Sequence, residues 1–208
     1  MKMIFILLPV LSMLIGRSMG FATPMSAEDK AAIVQCHNNY RSQLALGKVA
    51  NKTGQTMPTA ANMAKMVWDD GLGKSAQDWA SKCQIQHSGT DFGENLYFSS
   101  WRDFPNKEVL EKSCNAWWSE LAEFGINKDM WLDDDNLSKV GHWTQMAWFN
   151  SVQIGCAVAN CDGDWQTYVV CHYNPGGNYV WMSTYKSGPI CSECEAPRKC
   201  NNSSGLCE

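Results

Sequence analysis

The chain has 208 residues and a formal net charge of −4, from 17 Lys and Arg against 21 Asp and Glu. A hydrophobic fraction of 45% with 18% charged residues rules out general disorder, and the length suits one main domain with a small appendage. The mild acidity and the lack of a basic run argue against a nucleic-acid binder, which needs a positive surface to displace counterions from phosphates.

The N-terminus has the pattern of a secretory signal peptide. Lys2 is followed by an apolar run over residues 3–15, which is too short to cross a hydrocarbon core of ~30 Å. Small residues behind the run predict a signal peptide at residues 1–20, cleaved before Phe21, with a cut before Thr23 as the alternative. No later stretch approaches ~20 uninterrupted apolar residues, so no membrane span is predicted.

The cysteine count supports the same location. All ten cysteines follow the predicted cleavage site, which fits an oxidising compartment and up to five disulfides. We therefore expect a secreted, extracellular protein. Four sequons are compatible with a glycoprotein; they lie at Asn51, Asn136, Asn201 and Asn202.

Two helices are predicted in the first half of the chain. Ser26 and Asp29 form a capping-box pattern, and Gly47 offers a stop. Between them, apolar residues recur at helical spacing: Ile33, Cys36, Tyr40 and Leu44. A second helix is predicted over residues 72–87, since Leu72, Ala76, Trp79, Ala80 and Cys83 share one face that His87 continues. Residues 89–105 are expected to be irregular.

The third helix is followed by a change of period. Its apolar residues are spaced 4, 3, 4 and 3 apart over residues 110–124, and Gly125 follows. Residues 126–140 are expected to form a polar loop. Strands are then predicted at residues 144–149, 152–158 and 166–173. Helices first and closely spaced strands later favour an α+β layered domain. The last 18 residues contain four cysteines and little apolar content, so disulfides are expected to hold them.

The four histidines differ in their surroundings. His37 lies close to the apolar face of the first helix and is interpreted as a hydrogen-bonded packing residue. His172 lies in the last strand, where alternation leaves its direction open, and is given little functional weight. His87 and His142 lie at element ends, where functional groups are commonly displayed. No HExxH metal signature joins them.

Two carboxylates are the acidic candidates. Glu94 lies between apolar residues in Phe-Gly-Glu-Asn-Leu-Tyr, an unusual place for a carboxylate without a partner. On the third helix, Glu120 lies roughly 80° from Leu110 and Glu123 roughly 140° from it at 100° per residue. Glu120 therefore borders the buried stripe, and it is the carboxylate that this helix would contribute to a site.

These residues fall within motifs that resemble the CAP superfamily (cysteine-rich secretory proteins, antigen 5 and pathogenesis-related 1), most closely its nematode ancylostoma-secreted-protein or venom-allergen-like branch. The segments Gly-His-Trp-Thr-Gln-Met-Ala-Trp from residue 141 and Val-Cys-His-Tyr-Asn-Pro-Gly-Gly-Asn-Tyr from residue 170 are together highly specific. The remaining motifs are Cys83-x-x-x-His-Ser, Gly93-Glu-Asn-Leu, Trp117-x-x-Glu-x-x-x-Phe124 and His37-Asn-x-x-Arg41.

The resemblance implies an αβα sandwich, in which a three-stranded antiparallel sheet lies between helical layers. It implies a CAP domain at residues 21–188 and a cysteine-rich, hinge-like tail at residues 189–208. It also implies a central cavity with a tetrad formed by His87, Glu94, Glu120 and His142. The two imidazoles, with waters ordered by the glutamates, could hold zinc or another divalent cation weakly. A hydrogen-bonded polar cluster that fixes the cavity wall is the equal alternative.

The resemblance also bears on the disulfides. Cys156–Cys171 and Cys83–Cys161 match bridges that the family uses around its last two strands, which leaves Cys36 and Cys114 to each other. The tail cysteines are then expected to pair among themselves, with three connectivities open; they are Cys191, Cys194, Cys200 and Cys207.

By resemblance, the expected function is that of a secreted, non-enzymatic effector of a parasitic nematode that modulates host immunity. Its expected partners are an unidentified host protein and a sterol or fatty acid, bound away from the histidines. The alternative is a secreted hydrolase, a protease or metal-dependent esterase that uses the tetrad, although no Gly-x-Ser-x-Gly elbow is present. A third alternative is a vestigial cavity, with all function carried by the surface.

Overall fold

A computed structural model describes residues 21–127 and 129–208. Its elements in chain order are β1 (Phe21–Thr23), α1 (Ala27–Ala45), β2 (Val67–Trp68), α2 (Asp70–Ala80), β3 (Gly93–Ser99), α3 (Asn106–Phe124), α4 (Asp134–Ala147), β4 (Gln153–Asn160), β5 (Thr167–Asn174), β6 (Cys200–Asn201) and β7 (Leu206–Cys207). The predicted signal peptide at residues 1–20 lies outside the described residues. Within the described ranges, no helix is long and apolar enough to cross a membrane.

Three long strands form the central sheet. β5 lies between β3 and β4 and pairs antiparallel with both. The short strands β1 and β2 share the other edge of β4, where β1 runs antiparallel to it and β2 parallel. The predicted antiparallel sheet is thus confirmed, and two short strands extend it.

Alternation along the strands divides the apolar residues between two cores. Ile154, Cys156 and Val158 of β4 pack with α1, α3 and α4 on one face of the sheet. Ala157 and Ala159 pack under α2 on the opposite face. Because successive strand residues point to opposite faces, one strand supplies both layers. This arrangement is the predicted αβα sandwich.

The first and third helices form as predicted. The Ser26 hydroxyl caps α1 by accepting a hydrogen bond from the backbone N–H of Asp29. In turn, the Asp29 carboxylate accepts a hydrogen bond from the backbone N–H of Ser26. Helix α3 ends before Gly125, which adopts φ 76°, a conformation that favours glycine. These local signals are sufficient to predict α1 and α3, because each helix also has an apolar face that packs against the sheet.

The second helix is shorter than predicted. It ends at Ala80, so His87 lies in the following loop and not on the helix. Cys83 adopts φ 51° and is joined to Cys161 by a disulfide. The bridge ties this position to the sheet, and the apolar spacing that predicted a longer helix reflects this contact instead.

The prediction for residues 126–149 was wrong in two respects. The second half of the expected polar loop and most of the expected strand at 144–149 form α4. Asp133 and Asn136 make a capping box at its start, and acidic residues in its first turn favour the helix N-terminus. The prediction for residues 89–105 was also wrong in part, since β3 forms there with seven residues.

The five disulfides include the three pairs that the resemblance implies: Cys36–Cys114, Cys83–Cys161 and Cys156–Cys171. The tail contains Cys191–Cys200 and Cys194–Cys207. The tail also packs on the domain, because Cys207 donates a backbone hydrogen bond to Met63 and Leu206 is buried. Its two disulfides join tail residues to each other, so packing and backbone hydrogen bonds hold the tail against the domain.

Candidate functional site

The fold brings the four residues of the predicted tetrad to one cavity of about 380 Å³. His87 lies in the loop after α2, and Glu94 lies on β3. Glu120 lies on α3, and His142 lies on α4. The cavity is completed by Asn95, Leu137, Ser138, Gly141 and Asn178.

His87 and Glu94 form the first pair. His87 Nδ1 lies 2.6 Å from Glu94 Oε1, and the same oxygen accepts a 3.0 Å hydrogen bond from the backbone N–H of Ser88. The bond to the carboxylate raises the pKa of His87. Burial acts to raise the pKa of Glu94, but hydrogen bonds from His172, His87 and Ser88 outweigh it and hold that pKa well below its usual range. The carboxylate is therefore ionised at neutral pH.

His142 and Glu120 form the second pair. His142 Nδ1 lies 2.5 Å from Glu120 Oε1, and Glu120 Oε2 accepts a 2.9 Å hydrogen bond from the backbone N–H of Trp143. The ring of Trp117 stacks on the imidazole of His142 with centroids 6.2 Å apart. Glu123 is exposed, so Glu120 is the carboxylate that α3 contributes to the cavity.

The two pairs share one bonding pattern. Each carboxylate accepts hydrogen bonds from the Nδ1 of its histidine and from the backbone N–H of the residue after that histidine. This fixes the tautomer with the proton on Nδ1, since the carboxylate only accepts. Within residues 21–127 and 129–208, neither Nε2 atom has a hydrogen-bond partner. In the neutral form of each ring, Nε2 is therefore the unprotonated nitrogen and is available to another ligand.

Exposure separates the imidazoles from the carboxylates. The side chain of His87 is 69% exposed and that of Glu94 only 5%. The corresponding values are 38% for His142 and 16% for Glu120. The imidazoles are thus accessible to a ligand, and the less exposed carboxylates fix their orientation through hydrogen bonds.

The donor set fits a divalent metal ion in its chemistry. Histidines that bind metals commonly donate their other ring N–H to a carboxylate, which is the arrangement of both pairs here. Two protein nitrogens are fewer than the three or four ligands of tight zinc sites, so water has to complete the coordination. Among the described residues, three or more candidate ligands converge only at Cys191, Cys194 and Cys207, which are held in disulfides.

The structure adds His172 to the residues around the site. This fully buried ring, given little weight from the sequence, lies with Nε2 2.8 Å from Glu94 Oε2. The only signal in the sequence was the alternation of β5, whose direction relative to Glu94 depends on the pairing with β3. That pairing sets the two residues directly opposite each other.

Two other sequence interpretations concern groups beside the site. His37 is buried and bonds to the Ile33 carbonyl and the Tyr173 hydroxyl at 2.9 Å each, as expected of a packing residue. The Ser88 hydroxyl bonds to Thr90 Oγ1 at 3.0 Å and makes no hydrogen bond to His87. Ser88 and His87 are therefore not paired as nucleophile and base.

Comparisons with known proteins agree with this architecture. A family model described as "CAP: Cysteine-rich secretory protein family" matches residues 34–173. The chain is 37% identical to the Ancylostoma secreted protein of Ancylostoma caninum over 89% of its own length and 45% of the relative's. It is 34% identical to venom allergen 5.02 of Dolichovespula maculata, over 78% of each chain.

Two solved structures show the same fold. The crystal structure of Na-ASP-1 aligns with a TM-score of 0.85 at 35% identity, covering 89% of this chain and 48% of that one. The crystal structure of NaASP2 with Zn²⁺ aligns with a TM-score of 0.83 at 36% identity, covering 88% and 97%. The chain thus spans less than half of the Ancylostoma secreted protein and of Na-ASP-1.

The motifs and the αβα sandwich agree with these comparisons. Homologues of this kind are secreted, and five disulfides fit an extracellular location. The chain belongs to the CAP family of cysteine-rich secretory proteins, with nematode Ancylostoma secreted proteins and insect venom allergens among its relatives.

Proposed function

We propose that the chain is a secreted, non-enzymatic effector whose cavity binds a divalent cation, zinc foremost, through Nε2 of His87 and Nε2 of His142. The observation that carries the proposal is the bonding of both rings. A carboxylate fixes each Nδ1–H, and each Nε2 has no partner within the described ranges. NaASP2, which is 36% identical, has a solved structure with Zn²⁺.

The electrostatics of the cavity support a cation. The Glu94 carboxylate, which is ionised at neutral pH, places a negative charge behind the imidazole of His87. Because only two protein nitrogens are available, weak binding that depends on the buffer is expected. The cation would order the cavity wall, and recognition of a host protein, with its effect on host immunity, would fall to the surrounding surface.

Binding of a sterol or fatty acid stays a prediction from the resemblance. A groove of about 390 Å³ lies between α1 and α3, but its lining includes Glu28, Lys107 and Glu111. Lys107 and Glu28 form an ion pair of 3.0 Å across it. An acyl chain needs contiguous apolar surface, so we do not assign a lipid to this groove.

Calorimetric titration of the disulfide-intact chain with zinc chloride, in a buffer that does not chelate the metal, tests the cation site. Saturable binding is expected, weakened about tenfold or more in His142→Ala and in His87→Ala. Glu123→Gln, an exposed position on the same helix as Glu120, is the matched control and should bind as the parent does. No saturable binding, or equal binding by the histidine variants, would refute the site.

The same variants separate the effector from the hydrolase. Turnover of an ester or peptide substrate that disappears in folded His142→Ala protein would replace the non-enzymatic proposal. The Ser88 hydroxyl, which bonds to Thr90, does not favour that outcome.

A further inference from the structure

Three residues form a row across the sheet beside the cavity. Glu94 of β3 is opposite His172 of β5, and His172 is opposite Gly155 of β4. A Cβ atom on Gly155 would lie 2.0 Å from the backbone nitrogen of Gly73 in α2. The missing side chain therefore lets α2 lie close to the sheet, and Ser75 of that helix reaches the imidazole of His172.

Both nitrogens of His172 are bonded. Nε2 lies 2.8 Å from Glu94 Oε2, and Nδ1 lies 3.1 Å from Ser75 Oγ. A proton on Nε2 satisfies the contact with Glu94, because the carboxylate only accepts, and the Ser75 hydroxyl can bond to Nδ1 as donor or acceptor. The ring is fully buried, and Phe92 packs against it with centroids 5.7 Å apart. Its orientation is thus fixed from both ends.

His172 supplies the hydrogen bond to the second oxygen of Glu94. Oε1 accepts from His87 and from the backbone of Ser88, whereas Oε2 accepts from His172. The Glu94 side chain is almost fully buried, so loss of this donor would leave a charged oxygen without a partner. In the other pair, the backbone of Trp143 occupies the second oxygen of Glu120, and no third imidazole is used.

We propose that His172 is a positioning residue of the cation site, which holds the plane of the Glu94 carboxylate and thereby aims Nε2 of His87. The inference rests on the proposed function, since it assigns a role within that site. Glu94 matters because the His87 ring is largely exposed and has no other hydrogen-bond partner in the described part of the chain. The orientation of this ligand therefore depends on the carboxylate, and the carboxylate depends on His172.

Two near-isosteric variants separate positioning from packing. In His172→Gln the side-chain amide occupies the place of Nε2–H and can still donate to Glu94. In His172→Asn the amide lies near the place of Nδ1, toward Ser75, and the bond to Glu94 is lost. Both variants place a polar amide in the same buried space. Lys74→Ala, at an exposed position beside Ser75 on α2, is the control.

Two readouts are compared for each variant. Zinc affinity, from calorimetry, should fall about tenfold in His172→Asn and stay close to the parent's in His172→Gln. Exchange of the Ser88 amide hydrogen, measured without metal by NMR, should accelerate in His172→Asn only, because this N–H donates to Glu94 Oε1. Thermal unfolding of each variant shows that the comparison is made on folded protein.

The outcomes distinguish this inference from the function on which it rests. If the parent binds no zinc, the proposed cation site fails, and Ser88 exchange still tests the positioning role. If the parent binds zinc and the Asn and Gln variants lose equal affinity, or lose none, His172 has only a packing role. Equal Ser88 exchange in the two variants would overturn the inference in either case.

Discussion

Arg41 on α1 and Met146 near the end of α4 are joined by a 2.8 Å hydrogen bond from Nη1 to the backbone carbonyl. The same fully buried guanidinium also donates to the carbonyls of Ala64, Trp148 and Phe149. Burial lowers the pKa of Arg41 to about 9, so the group remains charged at neutral pH. The Arg41 side chain thus donates to one carbonyl in the segment before β2 and to three carbonyls at the end of α4 and just after it.

Replacing Arg41 should destabilise the fold strongly. Arg41→Met removes the guanidinium donor from all four carbonyls, of which those of Trp148 and Phe149 keep a backbone donor. We expect a loss of about 3 kcal/mol or more in the free energy of unfolding, measured by urea denaturation. Lys30→Met on the same helix removes a surface ion pair with Asp70 and a cation–π contact with Trp68, and it should cost much less than the change at Arg41. Equal losses for the two variants would contradict the role assigned to Arg41.

His37 predicts a specific pH dependence of stability. Burial, with the nearby charge of Arg41, lowers the pKa of His37 to about 4, although its bond to the Ile33 carbonyl opposes the shift. An unfolded histidine binds its proton near pH 6.5, whereas the native residue does so only near 4. The unfolded state thus binds more protons between these values, and the folded state loses about 3 kcal/mol of stability as pH falls from 6.5 to 4.

The test compares the parent with His37→Gln by urea denaturation at pH 6.5 and pH 4. The variant should lose about 3 kcal/mol less over this interval, because its side chain does not titrate. His87 does not confuse the comparison. Its raised pKa stabilises the folded state below pH 6.5, and that contribution is lost only as pH rises through the raised value. Identical pH slopes for the two proteins would disprove the prediction.

The four sequons differ in the state of the side-chain amide that would carry a glycan. Three amides donate hydrogen bonds within the fold: Asn51 to Ile126, Asn136 to Trp131 and Asn201 to Glu208. Asn202 is exposed, and its Nδ2 donates no hydrogen bond to another described residue. Because the glycan replaces a hydrogen on this nitrogen, we expect Asn202 to be the glycosylated position.

Mass spectrometry of protein secreted from eukaryotic cells, before and after glycosidase treatment, checks this expectation. Asn202→Gln should remove the mass difference, and Asn51→Gln should leave it unchanged. A glycan on Asn51 in folded protein would show that its bond to Ile126 is not retained.

Local pattern was sufficient for α1 and α3 because capping signals and apolar spacing agreed with each other there. Prediction from local pattern failed where contacts between residues far apart in the chain determine the local structure. The apolar spacing after Ala80 is that of a helix, but Cys83 is tied by a disulfide to Cys161, the residue that follows β4, and the chain turns. Residues 144–149 have strand-like composition, yet α4 continues to Ala147, and because residues 143–148 are all buried their burial shows no strand alternation.

Some features of the candidate site could likewise be predicted from the sequence, and others could not. Motif order identified the four cavity residues, and the helical angle separated Glu120 from Glu123. No local pattern showed which oxygen meets which ring nitrogen, or that the backbone N–H after each histidine completes the pair. The contribution of His172 was missed because it depends on the register between β3 and β5.

The amino-acid order alone was enough to establish an α+β protein with a cysteine-rich tail and four polar residues set within recognisable motifs, because such features are written in spacing and composition. The end of α2, the extra helix before β4 and the hydrogen bonds of Glu94 were decided only by tertiary structure. Those features depend on residues far apart in the chain, and strand register and disulfide pairing set their distances in space.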